Sequence, residues 1–188
     1  MKTLLILAGT IVAFSAITEE PKPSEKQSKT KLESFEAKAG SVIIKGFGRA
    51  GSIVVPGAVV TVECRELGDA ATSSRAYGIT IEVAKTGRFD GSERAFVDLE
   101  EIESLVKGIE YIAKVDKAVT KLADFEATYK TNGDLQITTF SGNKNGSIRA
   151  SVSCGRFGSN AAFLSLEQLA ALKELISKAK TMLDAVRG

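Results

Sequence analysis

Apolar residues recur at every second position over several stretches of the chain, which is the pattern of strands with one buried face. In the first half these stretches are residues 41–47, 58–65, 77–83 and 94–98. Three glycines, Gly46, Gly48 and Gly51, interrupt the first of them and its continuation, which indicates either a turn or a strongly bent strand.

The second half repeats this alternation. Strands are predicted around residues 125–129, 135–139, 148–154 and 161–164. The Asn132-Gly133 pair between the first two is a strong hairpin signal. We therefore expect four strands in each half of the chain.

In each half the pattern then changes to apolar residues every three or four positions, which predicts a helix. Asp98 and Ser165 precede these helices and are predicted to cap them, with Glu101 completing a capping box at the first. The first apolar face is Leu99, Ile102, Leu105, Ile109 and Ile112, and the second is Leu166, Leu169, Leu172, Leu175, Ile176, Ala179 and Leu183.

The two halves also resemble each other in sequence. Residues 95–102, AFVDLEEI, return as residues 162–169, AFLSLEQL, and a Gly-Arg-Phe triplet lies upstream of each copy. Such self-similarity indicates an internal duplication. We predict an α+β fold of two tandem ββββα repeats, about 40–118 and about 122–188, with a helix packed on each curved antiparallel sheet in a single pseudo-symmetric domain, residues 40–188.

The N-terminal region differs in composition from the rest. Residues 1–16 resemble a secretory signal peptide, with Lys2, a short apolar run and small residues at the end. Retention as a membrane anchor is the alternative, although the run is short for a span. Residues 17–39 are rich in Pro, Ser, Lys and Glu and predict a disordered linker. We expect an exported protein, periplasmic or extracellular, with no stable membrane span once the signal is cleaved.

The composition of the chain limits the kinds of site that it can form. Among 188 residues the formal net charge is +2, there is no His, and Cys64 and Cys154 are the only cysteines. A nearly neutral chain gives no global reason for binding nucleic acid, and two cysteines without His cannot form a structural zinc site. We predict no metal and no cofactor. Export would permit a disulfide between Cys64 and Cys154, and two buried free thiols are the alternative.

A doubled ββββα unit resembles the superfamily of the plant Whirly proteins and the eukaryotic transcriptional positive coactivators, which bind single-stranded nucleic acid. The likeness is most specific in GRFG at residues 155–158, LSLEQL at 164–169 and LKELI at 172–176, which look like the coactivators' last strand and helix. Only Lys45-Gly46 keeps part of the Whirly Lys-Gly-Lys-Ala-Ala-Leu run. The resemblance implies a binding surface, for which the candidates are Lys45, Arg49, Arg65, Arg88, Arg149 and Arg156.

Three functions follow from these observations. The first hypothesis is an exported, non-catalytic protein that acts by binding or by self-association as a homo-oligomer, with its partner unknown. The second is single-stranded nucleic-acid binding, which the scarcity of exposed aromatic residues and the export signal disfavour. The third is an enzyme of unrecognised class built on Arg88 and Arg156, for which the sequence offers no nucleophile or base in a recognisable setting.

Overall fold

The computed structural model describes residues 29–87, 91–141, 147–155 and 160–187. The predicted signal peptide and residues 17–28 of the predicted linker lie outside the described residues. The elements in chain order are α1 (Lys31–Glu36), β1 (Ile43–Val55), β2 (Ala58–Asp69), β3 (Arg75–Lys85), β4 (Gly91–Asp98), α2 (Ile102–Ala113), β5 (Glu126–Lys130), β6 (Leu135–Ser141), β7 (Ile148–Cys154), β8 (Asn160–Leu164) and α3 (Leu166–Arg187). Short 3-10 turns, Leu99–Glu101 and Lys117–Val119, flank α2.

The eight strands form two four-stranded antiparallel sheets, with the orders β1-β2-β3-β4 and β5-β6-β7-β8. The predicted alternation is confirmed in the first sheet, where Val60, Val62, Ile79 and Ile81 face inward and are fully buried. The α+β class and the repeated sheet-and-helix units are thus present. Within each sheet, strands that follow one another along the chain are neighbours.

The glycines of the first apolar stretch do not make a turn. β1 runs through them as one long strand, and its register with β2 shifts between Arg49 and Gly51 at a β-bulge. The bent-strand alternative was therefore the better of the two. A side chain at Gly51 would collide with Leu175 of α3, so this glycine allows the helix to lie close against the strand.

In the second sheet the Asn132-Gly133 hairpin is confirmed. The turn joins β5 to β6, the Thr131 amide donates to the Leu135 carbonyl at 3.0 Å, and Asp134 takes a positive φ of 62°. Phe96 of β4 forms an isolated bridge with Gly133, where a side chain would collide with the Phe96 carbonyl. The hairpin turn of the second sheet therefore rests against the edge of the first.

The helices pack crosswise. α3 packs mainly on β1, β2 and β3 of the first sheet, whereas α2 packs on β5 and β6 of the second, and the two helices contact each other. Gly108 of α2 lies directly against the Tyr129 ring of β5. Each helix thus covers the sheet of the other half, and one hydrophobic cluster contains residues of both sheets and both helices. No helix among the described residues combines the length and apolar character needed to cross a membrane.

The predicted linker is wrong over its last residues, because residues 31–36 form α1. Thr30 caps this helix in a complete capping box with Glu33, and the helix buries Leu32 completely against Leu67 and Ala76. The capping box and one buried leucine offset the ordering of a short charged segment. Ordered structure in the described chain therefore begins well before the predicted boundary at residue 40.

The predicted cap at Asp98 is also wrong. Its carboxylate makes no capping bond to α2 and instead accepts hydrogen bonds from the Lys31 and Leu32 amides, at 2.8 and 3.2 Å. Asp98 thus satisfies the first amides of α1, which follow the Thr30 cap. The predicted Ser165 cap is confirmed, because the Gln168 amide donates to its hydroxyl and the Gln168 side chain accepts from the Ser165 amide.

Candidate binding surface along the edge strand β1

β1 lies at the edge of the first sheet, with β2 on one side only. The Val42 carbonyl accepts from the Ala70 amide at 3.0 Å, so residue 42 is directed at the β2 side of the ladder. Because hydrogen-bonded and non-bonded positions alternate in an antiparallel pair, the amides and carbonyls of Ile43, Lys45 and Phe47 point away from the sheet. The first half of β1 therefore presents a row of main-chain donors and acceptors to its surroundings.

The outer face of this strand carries a fixed aromatic platform. The Phe47 side chain is 70% exposed, and its ring centroid lies 5.2 Å from the Arg65 guanidinium. Arg65 is itself buried, where its Nε donates to Thr80 at 3.2 Å and its Nη2 to Glu63 at 2.7 Å. Because Thr80 and Glu63 hold the Arg65 guanidinium in place, the position of the Phe47 ring that packs on it is also defined.

The predicted cations of this face each contact a carboxylate, and two of them share one. Arg49 Nε lies 3.5 Å from Glu63, which Arg65 also contacts, and Lys45 Nζ lies 2.9 Å from Glu36. The structure thus brings Lys45, Arg49 and Arg65 onto β1 and its neighbour β2, as one binding surface would require. Their carboxylate partners nevertheless leave little net positive charge for phosphate groups.

The inner face of the same stretch borders a cavity of about 260 Å³ below β1 and beside the last turns of α3. Gly46 and Gly48 are among the strand residues that line it, and a side chain at Gly48 would meet Cys64 Sγ and Met182 Cε at 3.1 and 3.2 Å. Ile44, two residues along the same face from Gly46, is 64% exposed. Exposed apolar surface thus occurs on both faces of the open edge.

The other predicted site residues lie elsewhere. Arg149 is exposed on β7 of the second sheet, opposite Phe140 in the β6–β7 register. The Phe140 and Phe163 rings pack edge to face, 6.3 Å apart, and Phe163 is 57% exposed. Arg88 and Arg156 lie outside the described residues. The structure therefore separates Arg149 from the β1 cluster and gives it an aromatic neighbourhood of its own.

The two cysteines are free thiols, so the disulfide alternative does not hold in this structure. Cys154 Sγ donates to the Ile81 carbonyl at 3.3 Å, and its burial raises the pKa of the thiol to about 12. Cys64 Sγ donates to the Gly48 carbonyl at 3.1 Å and lines the cavity. Each thiol is thus held by a different strand of the first sheet.

Sequence reasoning found the cations of this surface but missed its apolar part. Ile44, Gly46 and Gly48 are successive positions on one strand face. The available signal was a large apolar side chain followed by two glycines on that face, with Phe47 on the other. Within the described parts of the chain, no three Cys, Asp or Glu side chains are grouped so as to hold a metal ion. The arrangement is suited to contact with another chain through main-chain hydrogen bonds and apolar side chains.

Comparison with known proteins gives no family. A scan against models of protein families matches none of them, and a search of curated proteins finds no match.

Proposed function

We propose that this chain is an exported, non-catalytic binding protein that captures an extended polypeptide segment along the edge of β1. The observation that carries the proposal is the open main chain of Ile43, Lys45 and Phe47, with apolar surface on both of its faces. In strand addition, main-chain hydrogen bonds supply affinity and pockets for alternate side chains supply selectivity. Phe47 and the cavity beside Gly48 provide such contacts on the outer and the inner face.

The charges on β1 are compatible with this mode of binding. Lysine and arginine on an edge strand usually oppose pairing with another strand. Here Lys45 is paired with Glu36, and Arg49 shares Glu63 with the buried Arg65. An incoming strand would therefore meet ion pairs rather than isolated like charges.

A fluorescently labelled peptide with the sequence of residues 41–49 tests the proposal, because it can add to the edge as a further strand. We expect saturable binding to the chain that begins at Ile17. Lys45→Pro should abolish it, since the Lys45 amide points outward and its loss breaks no bond to β2. Lys45→Ser is the matched control, because it removes the same charge and retains the amide. Equal binding by all three proteins would refute the edge-strand site.

Single-stranded nucleic-acid binding is a second candidate, with a Whirly-like arrangement of the repeats. The outer face of the second sheet supports it, because Phe163, Phe140 and Arg149 lie there together and bases stack on such groups. Fluorescence anisotropy with a labelled single-stranded oligonucleotide tests it at low and at physiological salt. Binding that falls steeply with salt and is weakened by Arg149→Ala, but not by Arg94→Ala on the first sheet, would support this candidate. No binding at low salt would remove it.

A further inference from the structure

We infer that the segment captured by β1 is β1 of a second copy of this chain, paired antiparallel about a two-fold axis at Gly46. The inference rests on the proposed function and names its partner. In a closed two-fold interface the same surface serves both subunits, so it must be complementary to itself. The open edge meets this condition in one register.

Geometry first limits the registers. Two antiparallel edges that join into one continuous sheet are related by an axis perpendicular to it, so opposite residues lie on the same face. A residue whose amide points away from β2, such as Lys45 or Phe47, must then lie opposite a residue of the same kind in the other copy. An axis at Ile43 would place the stretch opposite residues before β1, and one at Gly48 would pair it across the bulge, which leaves residues 44, 45, 46 and 47 as positions of the axis.

Charge and shape then select among the four. An axis at Lys45 places that lysine opposite itself, and an axis at Phe47 places Lys45 opposite Arg49, so both bring like charges together. An axis at Ile44 places Gly48 opposite Gly40, beyond the start of β1, and leaves the cavity unfilled. The axis at Gly46 avoids all three faults.

The Gly46 register uses the features of both faces. Two glycines meet at the axis in a non-hydrogen-bonded position, where backbones approach most closely. Ile44 of each copy lies opposite Gly48 of the other, on the face that borders the cavity of about 260 Å³. On the other face Lys45 lies opposite the exposed Phe47 ring, a favourable pairing of a cation with an aromatic ring. The two-fold symmetry would thus bury the Ile44 side chains of both copies.

Sedimentation velocity over a range of concentrations tests the dimer. We expect the sedimentation coefficient to rise with concentration, and Ile44→Asp to move the midpoint about tenfold or more toward higher concentration. Val54→Asp is the matched control, because Val54 is also an exposed apolar residue of β1, at 73%, but lies beyond the paired stretch. An equal effect of both substitutions would overturn the inference.

Cross-linking tests the register. In a Cys64→Ser background, Gly46→Cys should form a disulfide-linked dimer on mild oxidation, because opposite Cα atoms at a non-hydrogen-bonded site lie about 4.5 Å apart. A side chain at Gly46 fits, since it would only touch Glu66 at 3.5 Å. Phe47→Cys should cross-link far more slowly, because the two copies are then diagonal to each other. Faster cross-linking at residue 47 would overturn the Gly46 axis.

The two proposals fail in different ways. If the labelled β1 peptide binds while the chain sediments as a monomer at every concentration, the second copy is not the partner and the edge-strand site stands. If the peptide does not bind at concentrations where the chain sediments as a monomer, so that the edge is open, the proposed function fails. A dimer that Lys45→Pro leaves intact would show that the copies associate through another surface and would overturn the inference.

Discussion

Replacing Glu101 with glutamine should stabilise the chain at neutral pH, and the gain should vanish in acid. Glu101 lies in the turn that leads into α2, and its Oε1 accepts from the Asn132 amide at 2.9 Å across the contact between the two halves. Its Oε2 is buried and has no hydrogen-bond partner among the described residues. Burial raises the pKa of this carboxyl above its ordinary 4.5, and nearby Asp98 adds to the effect.

The raised pKa determines whether ionisation of Glu101 stabilises or destabilises the fold. Because the folded state favours the protonated carboxyl, ionisation of Glu101 costs stability as the pH rises above the unfolded value of 4.5. An unpartnered buried polar atom costs about 1–3 kcal/mol, and more when it is charged. Glutamine leaves an unpaired Nε2 at the Oε2 position but removes the charge, and at the partial exposure of this side chain we expect a gain of about 1 kcal/mol. Glutamine keeps an oxygen for the Asn132 amide and carries no charge. For a chain of this size the gain corresponds to about 2–4 °C in Tm.

Urea unfolding at pH 7 and at pH 4 measures the effect. Glu101→Gln should have the higher free energy of unfolding at pH 7 and should approach wild type at pH 4, where Glu101 is largely protonated in both folded and unfolded states. Glu100→Gln is the control with the opposite sign, because Lys31 lowers the pKa of Glu100 and its loss removes an ion pair. A Glu101→Gln gain that is absent at pH 7, or that is equal at the two pH values, would refute the reasoning.

Three further predictions concern α1, the ion pair of Lys38 with Asp69, and the thiols. Leu32→Ala removes a fully buried side chain, so α1 should undock and protease cleavage before β1 should accelerate, with a loss of about 2–5 kcal/mol in docking free energy; unchanged cleavage would contradict the packing. The Lys38 ammonium lowers the pKa of Asp69 to about 2 from 3.8, so Asp69→Asn should destabilise at neutral pH, and wild type should lose this advantage as the pH falls from about 4 to 2; circular dichroism melts check it. Cys64 should react with a thiol reagent in the native chain well before Cys154, whose pKa is about 12; equal rates would contradict the burial of Cys154.

Most of the fold was predictable because its elements carry strong local patterns. The strands of both sheets and the stripe of α3 follow simple periods, and Ser165 with Gln168 is a local capping motif. α1 was missed because a six-residue helix in a charged segment has only Leu32 as its buried residue. Asp98 was misassigned for the same reason, since its true partners belong to that helix.

Long-range relations could not be predicted from local patterns. Nothing near α2 or α3 in sequence indicates that each helix covers the sheet of the other half. The candidate surface shows the same limit, because the alternation in β1 identifies two faces but not which amides point outward. That direction depends on the pairing of Val42 with Ala70. These residues are twenty-eight positions apart in the sequence, and only the folded strand register shows that they pair.

The length and exposure of the four edge strands favour β1 as the interaction site. β5 and β8, the edges of the second sheet, are only five residues long, and short edge strands offer little to pair with. β4, the far edge of the first sheet, is partly covered where Phe96 meets Gly133. β1 is thirteen residues long and keeps Ile44 and Phe47 exposed. Among the described edges, the longest is thus also the most apolar, which is the reverse of what protection against association requires and is what strand pairing with a partner requires.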